Sequence, residues 1–295
     1  MAKRAGSAVG LGEALWDMLP SGKVLGGAPV NFTYYSQALG IKSFFAGSIG
    51  KDELGKEILS ALKRTGLNKK YVSIDTIHPT GKVDVEIDNK GKPKYIFASN
   101  VAWDHISFDK KMLRLAQQAN VICFGTLAQR SADSKNTIRS FLKSAAPNCI
   151  RIFDINLRKP FYDREIIISS LKLADVLKLN DDELKIVSKM LNLHGTEEIL
   201  LKKLLDKFNL KLVALTKGAK GSILLGKGKK SVHKGFRIKV VDTVGAGDSF
   251  SAALAAGLLK DKDLDIINEF ANRLAAFVCT RAGAIAKLPK DLKKF

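Results

Sequence analysis

The stretch Val240-Val-Asp-Thr-Val-Gly-Ala-Gly-Asp-Ser-Phe250 constrains this chain more than any other. It opens as an apolar, β-branched run and turns through Asp242, Thr243 and the triplet Gly245-Ala246-Gly247. It then enters Ser249 to Leu259, a segment rich in helix formers. Strand, glycine turn and helix start is the resulting expectation. A helix that begins on small residues leaves backbone N–H groups open. With a dipole worth roughly +0.5 charge, these form a site for an anion such as phosphate. Asp248 puts a carboxylate beside that anion, which opposes binding and therefore points to chemistry: a base taking a proton from the group that attacks phosphorus. The segment lacks the Gly-Lys-Ser/Thr ending of a P-loop, and Phe250 stands where a dinucleotide fingerprint has its third glycine. On the triplet alone, ordinary turn chemistry remains open.

A length of 295 residues, 46% of them hydrophobic, supports a sizeable core in two domains or in one large α/β domain. Cys123, Cys149 and Cys279 are widely separated, which argues against a zinc site or a disulfide framework and suits a reducing cytosol. Lys3 and Arg4 are followed by Glu13 and Asp17 before any signal-peptide core can form. Val24 to Ile41 is uncharged but too rich in Gly, Pro, Asn, Gln and Ser for a membrane span. A soluble cytoplasmic protein is expected. The net charge of +20 raises the question of nucleic acid, but the lysines are scattered from Lys63 to Lys294 without interleaved aromatics. They read as a solvated surface whose field attracts anionic substrates.

Ala8 to Trp16 reads as a first buried strand that ends at Asp17, and Gly26-Gly-Ala-Pro-Val-Asn31 opens a helix through Leu39 with Gly40 as its C-terminal cap. Paired glycines let a ligand approach the backbone. Asn31 donates and accepts, and Asp17 accepts, a combination suited to sugar hydroxyls, although a cap and a turn residue are the plainer alternatives. Phe44 to Ile49 is an expected strand, and Glu53 to Thr65 an amphipathic helix. Val83 to Ile87 and Lys94 to Phe97, around Asn89 to Lys92, carry a hairpin signal and so lie outside a parallel sheet. Trp103 follows, placed either against a sugar face or in core and lid packing. Helices at Met112 to Ala119 and Ser134 to Ala145 alternate with strands at Val121 to Phe124 and Arg151 to Ile155. Asn156 and Arg158 follow the latter strand, at the carboxyl end where open α/β sheets bind ligands. Arg158 is a phosphoryl clamp or a surface ion-pair partner, and Arg130 a weaker candidate of the same kind. Val176 to Leu179 runs into Asn180-Asp-Asp-Glu183, which caps a helix. Leu212 to Thr216 precedes the loop Lys217-Gly-Ala-Lys-Gly221, and the helix Asp265 to Thr280 contains Asn272. His78, His105, His194 and His233 share no motif and read as surface or packing residues.

Taken in order, these elements resemble the ribokinase-like (pfkB) carbohydrate kinases. Gly12-Glu-Ala-Leu-Trp-Asp17, Gly26-Gly-Ala-Pro-Val-Asn31, Asn180-x-x-Glu183, the 217–221 loop and Asp242 to Phe250 carry the likeness, most of all to the fructokinase branch. The resemblance implies a three-layer α/β sandwich with a mainly parallel sheet, plus a small β-sheet lid from about residues 15–25 and 81–104, in a single kinase domain. It implies ATP and Mg²⁺, and K⁺ where a monovalent cation binds. Asp248 would be the base, with Gly245, Ala246, Gly247 and Arg158 around the transferred phosphate. Asp17, Gly26, Gly27, Asn31, Trp103 and Asn156 would serve the sugar. Asn180, Thr216, Gly218, Gly221, Thr243, Gly245, Gly247 and Asn272 would serve the nucleotide. Glu183 would hold Mg²⁺ through water and Asp242 a monovalent cation, and Gly283 closes the last helix in the region where members of the family often bind one. Fructose, ATP and a homodimer paired through the lid are the implied partners. Another sugar, a nucleoside, or a non-catalytic sensing role are the alternatives.

Overall fold

The computed structural model describes residues 6–20, 22–87, 93–293 and 295. The first half of the chain gives β1 (Ser7–Leu11), β2 (Leu15–Leu19), β3 (Gly22–Gly26), α1 (Ala28–Ala38), β4 (Lys42–Gly50), α2 (Glu53–Arg64), β5 (Val72–Asp75), β6 (Lys82–Ile87), β7 (Pro93–Phe97), α3 (Lys110–Gln118), β8 (Val121–Phe124) and α4 (Ala132–Ser144). The second gives β9 (Ile150–Asp154), α5 (Arg164–Leu173), β10 (Val176–Asn180), α6 (Asp181–Met190), α7 (Glu197–Lys207), β11 (Leu212–Thr216), β12 (Ser222–Gly226), β13 (Lys229–His233), α8 (Ala246–Leu259) and α9 (Leu264–Cys279).

The main sheet has the order β13-β12-β11-β10-β9-β8-β1-β4-β5. Every neighbouring pair from β11 to β5 is parallel, and β12 and β13 add an antiparallel edge. Central strands such as Val121–Phe124 are short and apolar on both faces because both faces are covered. Their side chains alternate. Val9, Leu11, Ile122, Phe124, Phe153, Leu177, Leu179, Val213 and Leu215 meet the layer of α3 to α7. Ala8, Val121, Cys123, Ile152, Val176, Leu212 and Ala214 meet the layer of α1, α8 and α9. The result is a three-layer α/β sandwich. Helix α8 is buried continuously from Ser249 to Gly257, and its small side chains allow it to lie between the sheet and its two neighbouring helices.

A second sheet, ordered β3-β2-β6-β7, stands apart as the lid. The expected strand Ala8 to Trp16 is therefore two strands in two sheets. Gly12 N–H bonds Ala46 O at 3.0 Å, and Trp16 N–H then bonds Gly81 O at 3.1 Å, so the ladder partner changes across the Glu13-Ala14 turn. The hairpin β6–β7 forms as expected, although its turn, Asn89 to Lys92, lies outside the described residues. Residues 98–104, expected in the lid, leave it, and Ala102–Asp104 forms a buried 3₁₀ turn. The expected strand at Val240-Val241 is also absent. These valines are 55% and 60% exposed, and the segment is fastened by the Val241 N–H bond to Cys279 O at 2.8 Å. A β-branched pair does not become a strand without a ladder partner.

Among the described residues, no helix is long and apolar enough to cross a membrane.

Candidate active site

The site forms at the carboxyl ends of the parallel strands, where their loops meet the start of α8. Gly245 is the N-cap of α8, at φ 79°. A Cβ there would lie 2.3 Å from Ala284 O, so only glycine turns the chain at this point. Asp242 holds the turn from the other side: its Oδ1 accepts Val244 N–H at 3.0 Å and its Oδ2 accepts Gly283 N–H at 2.9 Å. The carboxylate assigned to a monovalent cation is thus tied through both oxygens to the backbone. Thr243 is exposed beside it.

Asp248, in the first turn of α8, is partly exposed. Its Oδ2 accepts a hydrogen bond from Asn31 Nδ2 at 2.8 Å, so Asn31 reaches the proposed base. The Asn31 Oδ1 is buried and has no hydrogen-bond partner among the described residues. Burial pushes Asp248 up to about 6 and the Asp154 charge adds to the rise, while the Asn31 bond, Lys178 and Arg158 oppose it. An ordinary aspartate is therefore not what stands here. Asp17 is likewise raised to about 6 by burial, with Arg158 opposing. Glu13 is raised to about 7, first by burial; Asp248 adds to the rise and Arg158 opposes it. Three carboxyls of high proton affinity therefore share one exposed cation, Arg158. The Arg158 side chain hydrogen-bonds only its neighbour's carbonyl, Leu157 O, at 3.2 Å among the described residues.

Asp17 lies mid-strand in β2 rather than at a strand end, paired with Val24 and Val83. A Cβ on Gly26 would lie 2.4 Å from Asp17 Oδ2, so that glycine leaves room for the carboxylate. Gly27 is the N-cap of α1 and bonds Asn31 N–H through its carbonyl at 3.1 Å. Asn156 follows β9 at φ 45°, with its carbonyl accepting from the Thr126 hydroxyl at 3.3 Å.

At the end of β10, Asn180 and Glu183 form a capping box on α6. The Asn180 Oδ1 accepts Glu183 N–H at 2.8 Å and Glu183 Oε2 accepts Asn180 N–H at 2.8 Å. The other Glu183 oxygen accepts Leu157 N–H at 2.9 Å, joining the β9 and β10 loops. Thr216 ends β11, and Gly218 and Gly221 bracket the 3₁₀ turn Gly218–Lys220 beyond it. Among the described residues, no three His, Cys, Asp or Glu side chains group as a metal cage.

Three expectations are overturned by packing. Trp103 is 1% exposed in the core, with the Arg130 guanidinium 3.9 Å from its ring centroid, so no ring face is free for a sugar. Arg130 is a structural residue: its Nε and Nη2 bond Asp104 Oδ1 and Oδ2, each at 2.7 Å. Asn272 is 8% exposed and donates to Ser222 Oγ and Asn268 O, both at 2.7 Å, bracing α9 against β12 rather than facing a nucleotide. The histidines pack as expected, and His78 and His105 stack at 3.6 Å.

Sequence reasoning missed Glu13, Asp154 and Lys178. Glu13 and Asp154 line a small cavity with Asp248, and Lys178 Nζ bonds Asp154 Oδ1 at 3.0 Å. The available signal was a charge inside an otherwise apolar strand.

Together, the doubly covered sheet, the lid and the carboxylate at a glycine-started helix define the ribokinase-like class. The fold superposes on the fructokinase of Xylella fastidiosa with bound ATP at a TM-score of 0.81, with 22% identity, over 94% of this chain and 93% of that one. It matches an uncharacterized sugar kinase of Pyrococcus horikoshii in complex with ATP at a TM-score of 0.80, with 26% identity and coverage of 94% and 93%. In sequence it is 30% identical to fructokinase-2 of Zea mays, over 95% of this chain and 90% of the relative. Residues 21–291 match the model of the pfkB family carbohydrate kinases, and the chain belongs to that family.

Proposed function

We propose that this sugar kinase transfers the γ-phosphoryl group of ATP to a primary hydroxyl of a monosaccharide, with D-fructose as the substrate and fructose 6-phosphate as the product. The observation that carries the reading is Asp248. It is a carboxylate of raised proton affinity in the first turn of a glycine-started helix, with Asn31 bonded to its Oδ2. Asp17, Gly26, Gly27 and Asn156 surround the sugar, and Asn31 offers its unpartnered Oδ1 to a sugar hydroxyl. Asp248 takes the hydroxyl proton as the oxygen attacks phosphorus in line. The amides of Gly245, Ala246 and Gly247 meet the anionic group as charge shifts towards the leaving oxygen. Arg158, close enough in charge to act on Glu13, Asp17 and Asp248, closes on the phosphate. Asn180, Thr216, Gly218, Gly221 and Thr243 line the nucleotide.

The donor set fits Mg²⁺, which keeps most of its waters and takes few protein oxygens. Glu183, with each oxygen already accepting one amide, would hold it through water. When bound, the ion neutralises phosphate charge. Asp242 and the Gly283 loop would serve K⁺. Fructose is supported by the fructokinase relatives, that of Escherichia coli among them at 28% identity over 95% of both chains. The free cysteines suit a reducing cytoplasm, and the exposed lid residues Leu19, Tyr95 and Ile96 suit a homodimer paired through the lid.

The test is ADP release by the pure protein with ATP, Mg²⁺ and a panel of fructose, ribose, 2-keto-3-deoxygluconate and nucleosides. Strong turnover of another member without fructose turnover would refute fructose. Sugar binding with no ATP consumption would refute the kinase reading.

A further inference from the structure

Two opposite charges interrupt the apolar runs of adjacent central strands. Asp154 ends β9 and Lys178 lies inside β10, at 4% and 7% exposure. By strand alternation both share the face of Ile152 and Val176, the face covered by α1, α8 and α9. Lys178 Nζ donates to Asp154 Oδ1 at 3.0 Å, and Ser251 Oγ, near the start of α8, donates to Asp154 Oδ2 at 2.7 Å. Contact closes the circuit: a Cβ on Gly247 would lie 2.8 Å from Lys178 Nζ, so the ammonium sits directly under the catalytic turn. That contact accounts for glycine at 247, where φ is ordinary for any residue. A buried ion pair is a poor source of stability, because desolvation offsets most of its attraction. Its position under the turn calls for another reason.

We propose that Lys178, locked by Asp154 and Ser251, is a positioning residue for phosphoryl transfer. It sets the height of the α8 start above the sheet and supplies the fixed positive charge that the Asp248 carboxylate and the anion-facing amides need. The inference rests on Asp248 being the base. The groups that face Asp248 come from every element packed around it: Asn31 on α1, Asp154 on β9, Arg158 beyond it and Lys178 on β10 act on its carboxyl, and its charge in turn raises Glu13 after β1, Tyr35 on α1 and Cys123 on β8. Asp154 opposes its ionisation, and the Asn31 bond, Lys178 and Arg158 favour it, while Glu13 is itself raised by the Asp248 charge. Arg158 is exposed and screened by water; Lys178 is buried, where charge acts at lower effective dielectric. Burial works against the Lys178 ammonium, but Asp154, Glu183 and Asp248 hold its proton affinity above that of an ordinary lysine.

Removing one charge of the pair should move Asp248 in one direction, and removing the other should move it in the opposite direction. The test compares Lys178→Met, Asp154→Asn and the double variant by two readouts. One is the acid limb of the kcat/KM pH profile. The other is the ¹³C titration of the Asp248 carboxyl in the enzyme without ligands, assigned by its loss in Asp248→Asn. Lys178→Met should move both upward by about one pH unit, a tenfold change in proton affinity, and Asp154→Asn should move both downward. The double variant should return to within about half a unit of wild type. If Lys178→Met does not fold, the downward shift in Asp154→Asn carries the test alone. Unmoved titrations, or shifts of one sign in both single variants, would overturn the proposal. If Asp248→Asn keeps its kcat, the base reading fails while the ¹³C titration still reports the field.

Discussion

Replacing Asp248 with asparagine should lower kcat by at least about 10²-fold and at the same time stabilise the protein above neutral pH. The folded enzyme raises this carboxyl from 3.8 to about 6, through burial first and Asp154 next. Because the folded value lies above the unfolded one, the native state holds the extra proton between those values. Stability is therefore lost as pH rises from about 4 to 6 and stays lost above. Two units correspond to about 3 kcal/mol as an upper bound. Asp248 is partly exposed, and water screening brings this to roughly 1–2 kcal/mol. Asparagine is neutral and keeps an oxygen for Asn31 Nδ2, so it avoids the penalty. Relief of Glu13, whose proton affinity the Asp248 charge also raises, acts in the same direction. For a chain of this size the gain corresponds to a rise in Tm of about 2–5 °C. Calorimetry of both proteins without ligands should show that rise at pH 8, about half of it near pH 5, and little difference near pH 3.5, below the unfolded value, where the carboxyl is protonated in both states. A variant less stable than wild type at pH 8, or a difference independent of pH, would refute the electrostatic account of the site.

Arg158→Ala should lower kcat by roughly 10–10³-fold with Tm nearly unchanged, because the guanidinium is exposed and faces three carboxyls rather than the core; steady-state kinetics beside a melting scan reads both. Trp103→Ala should cost about 3–5 kcal/mol in a denaturant melt, while Trp103→Phe, which keeps a ring for Arg130, should leave the sugar KM within about twofold. Glu183→Gln loses charge-assisted acceptance of the Leu157 and Asn180 amides and should cost roughly 1–3 kcal/mol; a raised Mg²⁺ requirement in the same variant would report the metal side.

Much of this architecture was legible because its signals are local. Short aliphatic, β-branched runs such as Leu212–Thr216, bounded by turn residues, read as strands covered on both faces, and Asn180-x-x-Glu183 reads as a helix capping box. The resemblance to the pfkB family rested on such strings, and the fold and family agree with it. What was not legible depends on partners distant in sequence. Ala8 to Trp16 reads as one strand because nothing in it reveals that Gly12 bonds Ala46 while Trp16 bonds Gly81. Trp103 and Arg130 each suited a ligand in isolation, and they satisfy one another across 27 residues. Asn272 is taken up by a network from β12. Asp154 and Lys178 were open to detection: opposite charges in adjacent apolar strands imply a buried pair, whose place under Gly247 only the fold reveals.

The central claim is that Asp248 takes the proton from a sugar hydroxyl as phosphorus is attacked. The most direct measurement is fructose-dependent ADP formation by wild type and Asp248→Asn in parallel, with ATP and Mg²⁺ saturating and fold checked by calorimetry. The account predicts robust turnover by wild type and a fall in kcat of at least about 10²-fold in the folded variant. A folded Asp248→Asn enzyme with near wild-type kcat would contradict it.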